Sequence, residues 1–297
     1  MIIPNYLKDG DCIGLISTAR KISQKELEFG LRILQEWGLK VILGENIFSE
    51  YRQFAGTDIQ RTVDLEHMLS DDKIKAILCV RGGYGTARII DNIKDKIFSN
   101  YPKWIIGYSD VTVLHSHLHN LGIASIHGPM PINFTKTSKN SLNILRSVLF
   151  GEDNYIYTNQ NRLNREGEAK GEIIGGNLSI LYSLLGSPTD INTDNKILFI
   201  EDLDEYLYHI DRMIINIKRN KKFQKLKGLI VGSMTEMNDN KIKFGKTANE
   251  IIYEHIKEYD FPVCFDFPSG HIKNNMSIIF GKQSLLKITS KSVVLQQ

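Results

Sequence analysis

Ile105-Ile106-Gly107-Tyr108-Ser109-Asp110-Val111 carries the chain from an apolar strand, through a short polar turn, into the helix-like run Val111–Leu121. Four more short apolar runs surround it, Cys12–Ile16, Lys40–Leu43, Ala76–Val80 and the weaker Ala124–Ile126. Amphipathic stretches fill the intervals, and two of these open on capping boxes. In Ser23-Gln24-Lys25-Glu26 and Thr57-Asp58-Ile59-Gln60 a hydroxyl and a side chain three residues on satisfy each other's backbone N–H groups. Strands alternating with helices predict a parallel sheet with crossover helices, here a doubly wound α/β unit of the Rossmann-like kind.

At 297 residues the chain exceeds the common size of one domain. The polar stretch from about Gly151 to Gly171, rich in Asn and Arg, is the expected connection. The predicted layout is an N-terminal α/β domain over 1–150, a linker over 151–170 and a smaller C-terminal mixed α+β domain over 171–297. In the second half strands are expected at Ile197–Ile200, Leu229–Val231, Val263–Phe265 and Ile278–Phe280, with helices near Asn177–Leu185 and Thr247–Lys257. The close spacing of Ser284–Ile288 and Ser292–Leu295 predicts an antiparallel pair.

The 37 basic and 34 acidic residues are scattered, without the concentrated excess that a nucleic-acid surface needs. The densest basic run, Lys218-Arg219-Asn220-Lys221-Lys222, reads as a solvated helix end, where cations are favoured. No secretory signal is visible, and no apolar run approaches the ~20 residues that span a bilayer. Cys12, Cys79 and Cys264 lie far apart in strand-like contexts, as buried free thiols do. The expectation is a cytoplasmic enzyme without membrane or nucleic-acid partners.

A serine on a strand-to-helix turn holds its hydroxyl at the carboxyl edge of a sheet, with the following amides aimed at a developing oxyanion. Read alone, Ser109 or Asp110 serves equally well as a helix N-cap, and Val111 stands where GxSxG has its second glycine. Arg81-Gly82-Gly83-Tyr84-Gly85 follows the third strand, where open α/β sheets bind ligands. Its glycines let backbone donors approach an anion, although a plain turn uses them too. It is neither a Walker A sequence nor a GxGxxG, so no nucleotide cofactor is expected.

A nucleophilic serine needs a base. His115, His117 and His119 lie on the helix after Ser109 and read as surface or packing residues. Metal binding by His115 and His119 lacks a HExxH glutamate, so no metal is expected. His127 follows a short strand, and His271 stands in the Pro/Gly-punctuated loop Phe267-Pro268-Ser269-Gly270-His271, suited to projecting a side chain into a cleft. The strand Ile197–Ile200 ends in Glu201-Asp202-Leu203-Asp204-Glu205, which is a rigidly placed acid or a solvated acidic loop.

Together these segments resemble the LD-carboxypeptidase family of serine peptidases, the muramoyltetrapeptide carboxypeptidases. The resemblance runs in family order through Arg81-Gly82-Gly83-Tyr84-Gly85, Gly107-Tyr108-Ser109-Asp110, His127-Gly128-Pro129, Gly175-Gly176-Asn177-Leu178, Ile200-Glu201-Asp202 with Tyr208 and Asp211-Arg212, and Ser269-Gly270-His271. It covers the chain from about Cys12 to Ile288. One segment departs from it: near the end of the first strand, where relatives commonly have Ser-Pro, the chain reads Ile16-Ser17-Thr18-Ala19.

The resemblance implies a Ser109–Glu201–His271 triad in a cleft between two domains, with Glu205 the competitor for the acid. It implies an oxyanion site made by the amides of Asp110 and Gly83, and substrate contacts from Gly82, Tyr84 and Asn177. Arg81 or Arg212 is the candidate for the substrate's terminal carboxylate. The implied reaction releases D-alanine from the tetrapeptide stem of peptidoglycan, in wall recycling, without metal or cofactor. Members are often homodimers. Two rival readings are a peptidase of the same family acting on microcin C-type peptide-nucleotides, and a non-catalytic α/β protein holding a small anion.

Overall fold

The computed structural model describes residues 1–297. The first half runs β1 (Cys12–Ile16), α1 (Gln24–Glu36), β2 (Lys40–Leu43), α2 (Asp58–Ser70), β3 (Ile74–Cys79), α3 (Asp95–Asn100), β4 (Trp104–Gly107), α4 (Thr112–Asn120), β5 (Ser125–His127) and α5 (Lys139–Phe150). The second half runs β6 (Tyr155–Asn159), β7 (Gly167–Asn177), α6 (Leu178–Leu184), β8 (Ile197–Leu203), α7 (Leu207–Arg219), β9 (Gly228–Thr235), α8 (Ala248–Ile256), β10 (Val263–Cys264), β11 (Ile278–Phe280), β12 (Gln283–Ile288) and β13 (Ser292–Gln296).

Both capping boxes close as the sequence requires, Ser23 with Glu26 at the head of α1 and Thr57 with Gln60 at the head of α2. A third, Thr247 with Glu250, heads α8. The basic run ends α7, with Lys218 and Arg219 in its last turn.

The first sheet has the order β11-β5-β4-β3-β1-β2, parallel except for β11. It is doubly wound, and its strand order reverses between β1 and β3. Ligands of such sheets bind outside the carboxyl ends of the strands at that reversal. One face packs on α1 and α5 around Leu27, Leu34, Trp104 and Leu145, the other on α2 and α4 around Leu65, Met68, Val113 and Leu118. The second sheet has the order β10-β9-β8-β7-β12-β13-β6, parallel over its first four strands and antiparallel from β12 to β6.

Two features were not expected. The stretch 151–170, read as a connection, holds β6 and the start of β7, so it forms the far edge of the second sheet. Strand β11, from the C-terminal half, crosses back to pair with β5 and closes an edge of the first sheet. The sheets therefore do not follow a linker over 151–170: that stretch belongs to the second sheet, and one strand of the second half, β11, joins the first.

The two sheets meet where α4 packs against β7. Asn177 N–H donates to Thr112 Oγ1 at 2.9 Å, and both residues are buried. Gly176 lies at φ +144°, and a Cβ there would collide with the Thr112 side chain. Gly176→Ala combines a conformation that L-residues rarely adopt with overpacking, at a cost of about 1–3 kcal/mol. The expected result is a melting temperature lower by roughly 2–5 °C in thermal denaturation; an unchanged value would mean that the interface is not closely packed.

Candidate active site

The carboxyl ends of β3, β4 and β8 and the loop after β10 converge on one cleft. Ser109 stands two residues beyond the end of β4 and sits at φ +62°, a left-handed conformation unusual for a residue with a Cβ. Such strain persists only where surrounding structure imposes it, and it turns the serine out at the tip of a sharp strand-to-helix elbow. Ser109 is half-buried and lines a cavity of about 300 Å³ with Arg20, Gly82, Gly83, Tyr108 and His271.

His271 is placed by its loop. Gly270 lies at φ +117°, and a Cβ there would stand 2.7 Å from Glu201 Oε2, so glycine lets the loop come down onto Glu201. Gly270 N–H donates to Asn275 Oδ1 at 2.9 Å, and the Ser269 hydroxyl donates to the Met276 carbonyl at 2.8 Å. His271 Nδ1 then lies 2.6 Å from Glu201 Oε2. A carboxylate only accepts, so Nδ1 carries the proton and Nε2 of the neutral ring is left as the basic nitrogen. The Tyr108 ring packs on the imidazole with centroids 4.7 Å apart.

Burial of His271 opposes its protonation. The charge of Glu201, its hydrogen bond and the charges of Asp202 and Glu236 outweigh that effect, and the imidazole pKa is raised above its ordinary 6.5. Glu201 is fully buried. Its neighbour Asp202 is pushed up to about 7 by burial and then by the Glu201 charge.

Of the two acids left open by the spacing, geometry favours Glu201. Glu205 pairs instead with His209 Nδ1 at 2.5 Å, one turn along α7's entry. Ser109 and His271 share the cleft but are not hydrogen-bonded to each other; catalytic contacts of this kind commonly tighten only when substrate is bound. Gly82 and Gly83 donate no backbone hydrogen bond inside the protein, and a Cβ on Gly82 would stand 3.3 Å from Ser109 Oγ. These amides are free donors beside the nucleophile.

Other expected contacts fall elsewhere. Asn177 is buried and does not line the cavity: its Oδ1 caps α6 through Ile180 N–H, and its Nδ2 donates to Asp202 Oδ1 at 2.8 Å and lies 3.5 Å from Glu201. The Asp110 carboxylate, as distinct from the backbone amide expected at the oxyanion, is buried and accepts from Thr86 N–H at 2.8 Å, tying the serine elbow to the glycine loop. Tyr84 points to solvent beside Phe54. Arg81 lines the cavity, but its Nη1 donates to the Lys21 carbonyl at 2.8 Å. Arg212 stacks on Tyr208 and takes no part in the cleft.

Among the remaining histidines, His115 is buried between Ser125 Oγ and the Gly107 carbonyl, and burial lowers its pKa to about 4. His127 is wholly buried near Tyr108, Phe199 and Phe280, which keeps it neutral. The three cysteines are free, and burial pushes the Cys79 thiol up to about 12.

Several cleft residues carry no sequence signal. A second lobe of about 410 Å³ meets the first at Tyr108, Asn133, Leu203 and His271, and is lined further by Lys136, Glu236 and Lys273. These are single charged loop residues with no motif around them. Arg20 is marked only by its position just beyond the segment Ile16–Ala19 that departs from the relatives.

The LD-carboxypeptidase N-terminal domain matches residues 13–128, and the LD-carboxypeptidase C-terminal domain matches residues 170–286. A probable murein peptide carboxypeptidase of Bacillus subtilis is 34% identical over 301 residues, covering 99% of this chain and 94% of the relative. The crystal structure of a muramoyltetrapeptide carboxypeptidase from Oxalobacter formigenes superposes with a TM-score of 0.87 at 23% identity, over 96% of this chain and 98% of that one. The microcin C7 self-immunity protein MccF, solved with aspartyl sulfamoyl adenosine, also has a TM-score of 0.87, at 21% identity over 100% and 99% of the two chains. With both domains matched in order across most of its length, the chain belongs to the LD-carboxypeptidase family.

Proposed function

We propose that the protein is a serine carboxypeptidase that removes the terminal D-alanine from peptidoglycan tetrapeptide stems, with Ser109 as nucleophile, His271 as base and Glu201 as orienting acid. The observation that carries this reading is the Glu201–His271 pair facing the same cleft as a serine held at φ +62°. His271 Nε2 takes the Ser109 proton as the hydroxyl attacks the carbonyl carbon of the scissile bond. The oxyanion is met by the glycine-loop amides and that of Asp110, each worth on the order of 3 kcal/mol. His271 then returns its proton to the leaving D-alanine nitrogen, and water resolves the acyl-enzyme by the same route. Glu201 holds the imidazole tautomer and stabilises the imidazolium. The relative's name as a murein peptide carboxypeptidase supports the substrate. Free thiols at all three cysteines are consistent with a cytoplasmic, wall-recycling role.

A second reading, hydrolysis of an acyl-sulfamoyl nucleotide, comes from the likeness to MccF. One assay separates the two: purified protein is offered a defined tetrapeptide and an acyl-sulfamoyl adenosine. D-alanine release without nucleotide cleavage supports the first reading, and the reverse result replaces it with the second. Ser109→Ala is expected to abolish nearly all turnover on the true substrate while the protein still folds by circular dichroism. Activity retained in that variant would remove Ser109 as nucleophile.

The raised His271 pKa fixes a pH dependence. The base works only when neutral, so kcat/KM is expected to climb with rising pH through an acid limb whose midpoint lies above 6.5. Glu201→Gln removes the largest of the charges that raise this pKa and leaves burial opposed only by the smaller effects of Asp202 and Glu236. The limb then moves to lower pH, while kcat at the plateau falls by about 10³–10⁴-fold because the tautomer is no longer held. A limb that stays in place in the variant would mean that another group titrates.

A further inference from the structure

A carboxypeptidase differs from an endopeptidase by reading a free carboxylate one residue beyond the bond it cuts. Along the leaving residue, that carboxylate carbon lies within roughly 4 Å of the scissile carbonyl carbon. The cation that reads it must therefore stand beside the nucleophile and must have its charge unspent.

Arg81 meets the first condition and fails the second, since it is bound to the Lys21 carbonyl and lies 3.8 Å from Glu26. Lys21 is itself paired with Glu50 at 2.5 Å. Lys136 and Lys273 are in the second lobe, where the carboxylate of Glu236 stands among them and would compete with or repel an added anion. The Ser109 lobe contains no acid at all.

Arg20 meets both conditions. It is exposed, and its guanidinium has no ion pair within the protein. Its side chain lies along Gly83, so that a Cβ there would stand 2.6 Å from Arg20 Cδ and 2.8 Å from Nε. The adjacent Gly82 is the residue that approaches Ser109 Oγ. Arg20 follows β1 and the glycine loop follows β3, so the two flank the reversal point of the first sheet. The Arg20 N–H reaches the Gly82 carbonyl at 3.4 Å, which ties the backbones of the two loops together.

Resting on the carboxypeptidase reading above, we infer that Arg20 is the specificity-determining residue that binds the terminal carboxylate of the substrate. A guanidinium offers two parallel N–H donors to one carboxylate, a geometry that an ammonium lacks. The mixed charges of the second lobe are left for the rest of the peptide.

The test compares the tetrapeptide acid with its C-terminal amide, on wild type, Arg20→Ala, Arg20→Lys and Lys273→Ala. Wild type is expected to prefer the acid. In Arg20→Ala, kcat/KM for the acid falls by about 100-fold, the size expected for losing a charged hydrogen-bond pair, while the amide is cleaved much as before, so the preference collapses. Arg20→Lys restores part of it, and Lys273→Ala keeps it. Arg20→Ala retaining the acid preference, losing both substrates equally, or being outdone by Lys273→Ala would each overturn the assignment. Those results concern Arg20 alone if wild type releases D-alanine; a wild type that releases none overturns the peptidase reading and this one with it.

Discussion

One hydrogen bond, from Asn177 N–H to Thr112 Oγ1, couples the two halves of the site. Thr112 begins the helix that Ser109 leads into, three residues on. Asn177 ends β7, and its side chain grips Asp202 and reaches Glu201 on the neighbouring strand. The position of the serine elbow relative to the acid is therefore tied to this buried contact, within the wider packing of α4 on β7 and of β11 on β5. Everything downstream, from the Glu201–His271 pair to the cleft itself, presupposes that register.

The glycine loop is held in the same manner. Arg61, almost fully buried, donates to the Gly85 carbonyl at 2.9 Å and also binds the Thr18 carbonyl, and Thr18 and Thr86 share a hydroxyl contact at 2.8 Å. Asp110 closes the ring from the serine side. Burial raises the Asp110 pKa, with its hydrogen bonds to the Thr86 segment and the Arg61 charge acting against that rise. A charged network of this kind is costly to desolvate, and its presence next to a strained serine fits a site organised for fixed geometry over maximal stability.

Much of this was legible in the sequence because it is local. The capping boxes of Ser23 and Thr57, the strands from Cys12 to Trp104, and the elbow at Ser109 each follow from a few adjacent residues. The preference for Glu201 over Glu205 rested on its place at the end of a strand, because four acids in five residues look alike by spacing until one is seen beside His271. Asn177 was placed near the chemistry but as a substrate contact, whereas its side chain is buried against Asp202 and Glu201, since a motif marks a neighbourhood and not the direction of a side chain. Arg20, Glu236 and Lys273 left no trace, being single charges brought together by chain reversals far apart in sequence. The pairing of Ile278–Phe280 with the first sheet was invisible for the same reason.

That last pairing also orders the life of the molecule. During synthesis β1 to β5 can assemble while the remainder is still being made, yet the strand that covers β5 comes from residues 278–280, about 150 residues further along. Until then the nascent sheet presents an open edge to whatever strand it meets, at the very side where His127 must be sealed from water. The first sheet is therefore complete only once a strand of the second half has joined it, so the two halves cannot reach their final form as independent modules.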